Sequence, residues 1–307
     1  MSRFTRSGGP KAPRRILWAG LSTPAMLWLL ALFIVPFFVA LAVAGGSINQ
    51  IIGTPQPAWN PLDWSGAAYR AVFHEFTGTG AFLGPEVLRT LEYVAIAAVL
   101  SLLIGYPAAY FVSRFAGKKK GLLLGLLLAP FWVSYMMRML AWIDLLQTDG
   151  YVNRLLVDLH LVSHPVVWLG GKATTVILGL VYGYIPYLIL VLFAGLDRID
   201  PHLIEAGRDL GLSRLRTFTK VTLPLSRQAI LTGLLVTVLP MLGDYFTNQM
   251  LSGATNTAMI GNTIEQQLSS TQLQTQGASL SLMMLGVLVI PMLYYVIATN
   301  RASQANA

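Results

Sequence analysis

Few side chains in this sequence can do chemistry, and those few sit where charge is costly. Arg138, Asp144 and Asp244 interrupt or border stretches that are otherwise apolar. An ionisable group at the centre of a membrane-spanning helix costs about 3 kcal/mol, so it marks a pathway, a proton relay or a holding ion pair. Two roles are open. Arg138 can pair with Asp244 or Asp144 and hold a bundle together, or one carboxylate can stay free for a cationic cargo. Trp132, Tyr135, Trp142, Tyr182, Tyr184 and Tyr245 could add cation–π faces to such a translocation path. The same rings also suit ordinary packing or an interfacial belt. Glu92 lies too near a predicted membrane surface to join them.

Other chemistries lack their residues. A phosphate-cradling loop needs a glycine six positions before its lysine and Ser or Thr after it; "LGGKATT" has Val166 and Ala173 there. His160 and His164 have a helical metal-ligand spacing, but Pro165 biases His164 away from helix and no third ligand is evident. There is no cysteine, so neither disulfide nor thiolate chemistry is available. No nucleophile has a base at recognisable spacing, so no metal, cofactor or catalytic residue is assigned to this chain.

The elements that must position these groups follow from composition. Of 307 residues, 55% are hydrophobic and only 11% charged, against about 25% charged in soluble domains. Mean hydropathy is +0.62. Residues 24–46, 93–113, 121–137, 173–196, 228–243 and 279–300 contain no charged side chain. A spanning helix needs roughly 17–25 apolar residues. Four runs suffice unaided, and the third and fifth suffice if they continue through Arg138 and Asp244. The expectation is an all-α, polytopic membrane protein with six transmembrane helices, each carrying a proline (Pro36, Pro107, Pro130, Pro186, Pro240, Pro291). The first run is too long for the core of a secretory signal.

Charge sets the orientation. Sixteen of 21 basic residues fall in the amino terminus, in the links between spans two and three and between four and five, and in the tail; nine of 13 acids lie elsewhere. Excess Lys and Arg marks the cytoplasmic face, so both termini are expected there. The net charge of +8 then reflects anionic membrane lipid rather than nucleic acid. The organisation read is a basic segment (1–20), one transmembrane domain (21–300) and a short tail (301–307). The stretch "EQQLSSTQLQTQGAS" reads as a solvated outer connector.

One polar island, 198–226, lies between the fourth and fifth runs. Asp200-Pro201 opens a short helix over 201–210, and Gly211 can end it in the left-handed conformation. Ser213 caps a second helix reaching about Leu223, and Pro224 and Ser226 break the chain before the next span. Ala206 and Gly207 leave a bare patch flanked by Glu205 and Arg208, which suits a knob in a partner's groove or an amphipathic connector.

The sequence "EAGRDLGLSRLRTFTKVTLP" (205–224) resembles the EAA loop of binding-protein-dependent ABC importer permeases. Glu205-Ala206-Gly207 is followed by three residues, Gly211, nine residues, Val221, Thr222 and Leu223-Pro224; Gly207 and Val221 stand for alanine and isoleucine. "PFWVSYMMRMLAWIDLLQTDGYVN" (130–153), "YGYIPYLILVLFAGLDRIDPHLIEAGRDLG" (182–211) and "LPMLGDYFTNQMLSG" (239–253) are similar to the spermidine/putrescine branch, a likeness running over roughly 85–300. Arg227-Gln228 replaces the family's Pro-Gly, which implies a straighter entrance to span five. The resemblance implies a type I importer permease fold for a non-catalytic transport subunit in the bacterial cytoplasmic membrane. Its implied partners are an ABC ATPase dimer holding ATP and Mg, a second homologous permease and an extracytoplasmic substrate-binding protein. Glu205, Ala206, Gly207, Arg208, Asp209, Gly211, Leu223 and Pro224 would couple to the ATPase. A cargo of polyamine, or of another organic amine such as 2-aminoethylphosphonate, is implied with it. The rival reading is a proton-coupled secondary transporter using Asp244 or Glu92, whose expected internal repeat is not visible.

Overall fold

The structure, a computed structural model, describes residues 12–305 other than 50, 52, 79 and 80. Arg3, Arg6 and Lys11 of the basic segment and the last two tail residues lie outside the described residues. In chain order the helices are α1 (Ala12–Ala44), α2 (Ala67–Thr77), α3 (Leu83–Phe115), α4 (Lys120–Leu128), α5 (Tyr135–Leu146), α6 (Tyr151–Asp158), α7 (Ala173–Asp197), α8 (Pro201–Asp209), α9 (Arg214–Thr217), α10 (Leu223–Leu242), α11 (Phe246–Leu251), α12 (Ile260–Ser269) and α13 (Gln274–Ala305). Five helical segments are long and apolar enough to cross a membrane, and a pair of segments bent by 85° makes a sixth if it crosses as one.

The chain divides into two compact units. The first comprises residues 1–72 and 267–284. In it, Ser47–Ile48 pairs antiparallel with Pro55–Gln56. The Trp64 indole N–H donates to the Ala58 carbonyl at 2.8 Å, and Phe38 packs beside Trp59 and Trp64. The expected solvated connector is instead mostly helix, the end of α12 and the start of α13. Its Gln267, Thr275 and Ser279 are buried. The Ser279 hydroxyl donates to the Thr275 carbonyl at 2.8 Å, which lets a polar side chain enter a packed helix without an unpaired group.

The second unit, residues 73–266 and 285–307, contains the site. Its core is made by α3, α7 and α10. Ala97, Ser101, Gly105 and Ala109 recur every fourth residue on α3 and are all buried. A stripe of small residues lets helices approach closely, and this close packing replaces hydrophobic exclusion as the driving force within lipid. Leu188, Ile189, Leu192 and Leu196 of α7 fill one part of that interface. Tyr93, Val94, Val176, Leu180, Met241 and Met259 fill another.

Two spans depart from the charge-free pattern. The third does not run straight through Arg138. Pro130 lies in a single 3₁₀ turn, Ala129–Trp132, and the Ser134 hydroxyl accepts from the Met137 N–H to start α5 afresh; between these two local stops the axis turns by 85°. Nor does the fifth continue through Asp244, since α10 stops at Leu242. It gains length at its other end, where helix runs unbroken from Arg214 to Leu242. The break expected at Pro224 and Ser226 is absent. A π-helical stretch, Phe218–Thr222, precedes α10 and puts Pro224 in its first turn, where the missing N–H is tolerated. Ser226 turns inward and shares a hydrogen bond of 2.8 Å with the Tyr106 hydroxyl.

Candidate functional site

Two features of the second unit are candidates for function: a buried carboxylate facing an aromatic cavity, and the polar island. The first begins where α10 ends. Gly243 closes that helix, and the Asp244 side chain starts the next by accepting from the Thr247 N–H at 2.9 Å through Oδ1. Its Oδ2 accepts from the Thr247 hydroxyl at 2.5 Å and from the Tyr184 hydroxyl at 3.1 Å. The Tyr135 hydroxyl lies 2.5 Å from Thr247 Oγ1 and 3.3 Å from Asp244 Oδ2. It has one proton, so it serves one of these acceptors at a time. Asp244 is 7% exposed, yet Oδ1 keeps acceptor capacity beyond the Thr247 bond.

A cavity of about 340 Å³ opens against this carboxylate, lined by Tyr135, Tyr184, Tyr187, Tyr245, Phe246 and Pro240 among others. The elements explain the lining. Tyr184 and Tyr187 are three apart on α7 and share a face. Gly183 beside them has no side chain, and a Cβ there would lie 2.9 Å from the Tyr135 hydroxyl. That absence lets Tyr135 of α5 lie against α7. One acceptor-rich carboxylate among aromatic faces suits an alkylammonium group, which gains a charge-assisted hydrogen bond and cation–π contact together.

Of the two roles left open for Arg138, the ion pair with Asp244 or Asp144 is not formed. Among the described residues, neither Asp244 nor Asp144 has a basic nitrogen within 4.0 Å. The Arg138 guanidinium lies instead over the Phe131 ring at 4.2 Å, with Tyr135 at 5.2 Å and Tyr182 at 5.8 Å. The bend at 133–134 lies between Phe131 and Tyr135, and both rings come within reach of the guanidinium. Trp142 packs edge-on against Tyr182 at 5.2 Å, so both support this cage. Asp144 is exposed and accepts from the Gln147 amide at 3.2 Å. Trp132 is 86% exposed. Of the sequence candidates, the structure brings Tyr135, Tyr184, Asp244 and Tyr245 to the cavity. Sequence reasoning missed Tyr187, Phe246 and Thr247. Asp after a glycine was readable as a helix-start signal, but it accepts a backbone N–H whatever residue supplies it, so nothing local pointed to the Thr247 hydroxyl. His160 and His164 do not share a helix: α6 ends at Asp158 and His160 has φ 54°.

In the island, the Asp200 carboxylate accepts from the His202 N–H at 2.9 Å, Pro201 opens α8, and Gly211 takes φ 85°. Ser213 caps α9 by accepting from the Arg216 N–H. Gly207, expected to face a partner, instead points inward. A Cβ there would meet Val221 at 3.5 Å and Leu212 and Thr217 at 3.6 Å. The fixed spacing from 207 to 221 is therefore that of two short helices locked together. Glu205, Ala206, Arg208, Asp209 and Gly211 are exposed, as are the apolar Leu203, Leu210 and Leu215. Leu223 and Pro224 lie in the first turn of α10. Gly207→Ala is expected to keep uptake intact and to stabilise α8 by about 1 kcal/mol. Thermal unfolding together with uptake checks this, and loss of uptake by a variant that remains folded would contradict the inward packing.

Residues 101–303 match the family described as "Binding-protein-dependent transport system inner membrane component". The spermidine/putrescine transport system permease protein PotB of Escherichia coli (strain K12) is 34% identical over 209 residues, 68% of this chain and 75% of that protein. The protein of the same description from Haemophilus influenzae (strain ATCC 51907 / DSM 11121 / KW20 / Rd) is 35% identical over 181 residues, 59% of this chain and 63% of that one. A solved bacterial ABC transporter involved in the import of the acidic polysaccharide alginate has a chain similar to this one with a TM-score of 0.66 at 18% identity, covering 94% of this chain and 96% of that chain. At that identity the likeness is one of fold.

Proposed function

The chain belongs to the binding-protein-dependent transport system inner membrane components, and from that premise we propose that its cargo is a polyamine or a related organic amine. It is a multi-pass permease subunit of the bacterial inner membrane within an ABC importer, and it carries no catalysis of its own. The observation that carries the cargo reading is the buried Asp244 carboxylate at the wall of a tyrosine-lined cavity. Arg138 takes no part in neutralising Asp244 by direct pairing, so an ammonium group can.

The island faces the cytoplasm in this reading, with both termini on the same side. The exposed surface of α8 then docks on the ATPase subunit, using apolar Leu203 and Leu210 among the charges of Glu205, Arg208 and Asp209. ATP and Mg belong to the ATPase dimer. A second, homologous permease completes the path, and an extracytoplasmic binding protein delivers the amine. ATP binding draws the islands of the two permeases together and opens the cavity outward; hydrolysis resets it.

The test is purification of the tagged chain from its native membrane, followed by ATPase assay with spermidine, putrescine and candidate substrate-binding proteins. A complex containing an ATPase and a second permease, stimulated by the polyamine-loaded binding protein, is expected. A chain that purifies without an ATPase, or a complex stimulated only by a different cargo, would overturn the reading.

A further inference from the structure

We propose that α3 carries movement of the island to the far side of the cavity, with Arg114 and Arg89 as positioning residues at its two ends. The proposal rests on the coupling role given to the island above. α7 and α10 are continuous with the island in sequence. α3 is not, yet it is fastened to the island more closely than connectivity requires.

At its carboxy-terminal end, Arg114 Nη2 donates to the Leu196 carbonyl at 2.9 Å and the Ile199 carbonyl at 3.1 Å. These two acceptors bracket the step from α7 to α8. The Leu196 carbonyl, in the last turn of α7, also accepts from the Ile199 N–H at 3.2 Å, and a cation there meets the negative end of the helix dipole. Lys120, just beyond α3, forms an ion pair with Asp197 in the same step. Phe218, in the π-helical stretch, meets Tyr106 and Tyr110 edge-on, both at 5.8 Å. Pro107 lies between those two tyrosines and removes one helical hydrogen bond, so Phe218 splints α3 at its weakest point. Tyr106 adds its bond to Ser226.

The amino-terminal end of α3 is fastened equally firmly to the segment 255–263. Arg89 Nη1 donates to the Ala258 carbonyl at 2.8 Å and the Thr255 carbonyl at 3.3 Å. The Thr90 hydroxyl accepts from the Ile260 N–H at 2.9 Å, and Glu86 accepts from the Thr263 hydroxyl at 2.5 Å. That segment in turn holds the cavity wall. Asn262 Nδ2 donates to the Tyr245 carbonyl at 2.8 Å, and Asn248 of α11 bonds to the Thr257 carbonyl. The 33 residues of α3 span about 50 Å at 1.5 Å per residue. One packed helix therefore joins the island to the Tyr245 side of the cavity through directional bonds at both ends, the kind of contiguous element that both sites can bias.

The chain has no cysteine, so Thr255→Cys gives a single exposed reporter on the far segment. The assembled importer with cysteine-free partners, in nanodiscs, is labelled with a membrane-impermeant maleimide, with and without ATP and vanadate. In the otherwise unaltered complex the labelling rate is expected to change by at least about threefold with nucleotide. Arg114→Ala is expected to remove that dependence while ATP binding and subunit composition persist, and Arg114→Lys to retain it. Should Arg114→Ala fail to assemble, Phe218→Leu supplies the same test from the island's side. Nucleotide-dependent labelling that survives Arg114→Ala or Phe218→Leu would overturn the role of α3. No dependence in the unaltered complex would instead overturn the coupling reading beneath it.

Discussion

Glu205→Lys is expected to cut amine uptake sharply while the chain remains folded and in the membrane. Glu205 is exposed, and its partner among the described residues is the still more exposed His202, whose Nδ1 lies 3.3 Å away. Exposed pairs of this kind add little stability, so the substitution leaves the island's internal packing of Gly207 on Val221 and Thr217 undisturbed. Its effect falls on whatever meets the outer face of α8. Reversing a charge within a docked, desolvated contact costs about 2 kcal/mol or more, roughly thirtyfold in affinity. Uptake is therefore expected to fall by at least about tenfold. Membrane-fraction immunoblots and radiolabelled spermidine uptake check both halves. Normal uptake by the mutant would remove α8 from the coupling path.

Asp244→Asn is expected to lower uptake of a polyamine by at least about tenfold, through loss of a buried charge partner worth about 2 kcal/mol or more. The substitution is close to isosteric. An asparagine oxygen can still accept from the Thr247 N–H, and the tyrosine and threonine hydroxyls can rotate to accept from the new amide. The charge goes while the cap stays. Asp244→Ala removes both and separates the two roles: a fold loss peculiar to alanine marks capping, and an uptake loss common to both marks the carboxylate. Unchanged uptake by the assembled asparagine variant would return Asp244 to a structural post.

What the sequence made legible, and what it did not, divides along physical lines. The island was readable because its signals are local. Asp200 before Pro201, Gly211 and Ser213 each act within three residues of themselves, and each acts in the structure as its type predicts. The family motif was readable for the same reason, since its spacing is that of two short helices packed across Gly207. Orientation within that pair was not readable. Whether Gly207 faces Val221 or a partner depends on the rotation of α8, which one nine-residue helix cannot fix from its own sequence.

Apolar length found the spans but misplaced two ends. A charge-free run does not say where a helix bends, and Pro130 with Ser134 turns the third segment where hydropathy continues. Asp244 was singled out for its cost within an apolar run. Its actual partners, Thr247, Tyr184 and Tyr135, come from three helices that only tertiary packing brings together. Arg138 shows the same limit. Charge alone left open an ion pair or a free carboxylate, and it gave no sign that three aromatic rings would take the guanidinium.

In the proposed function, ATP hydrolysis on a partner drives an amine through this permease. The most direct measurement is accumulation of radiolabelled spermidine in proteoliposomes containing the co-purified importer, with the binding protein outside and ATP inside. Accumulation that requires ATP hydrolysis and the binding protein, and that Glu205→Lys removes, is the result predicted here. Accumulation driven by an imposed proton gradient without ATP would contradict it.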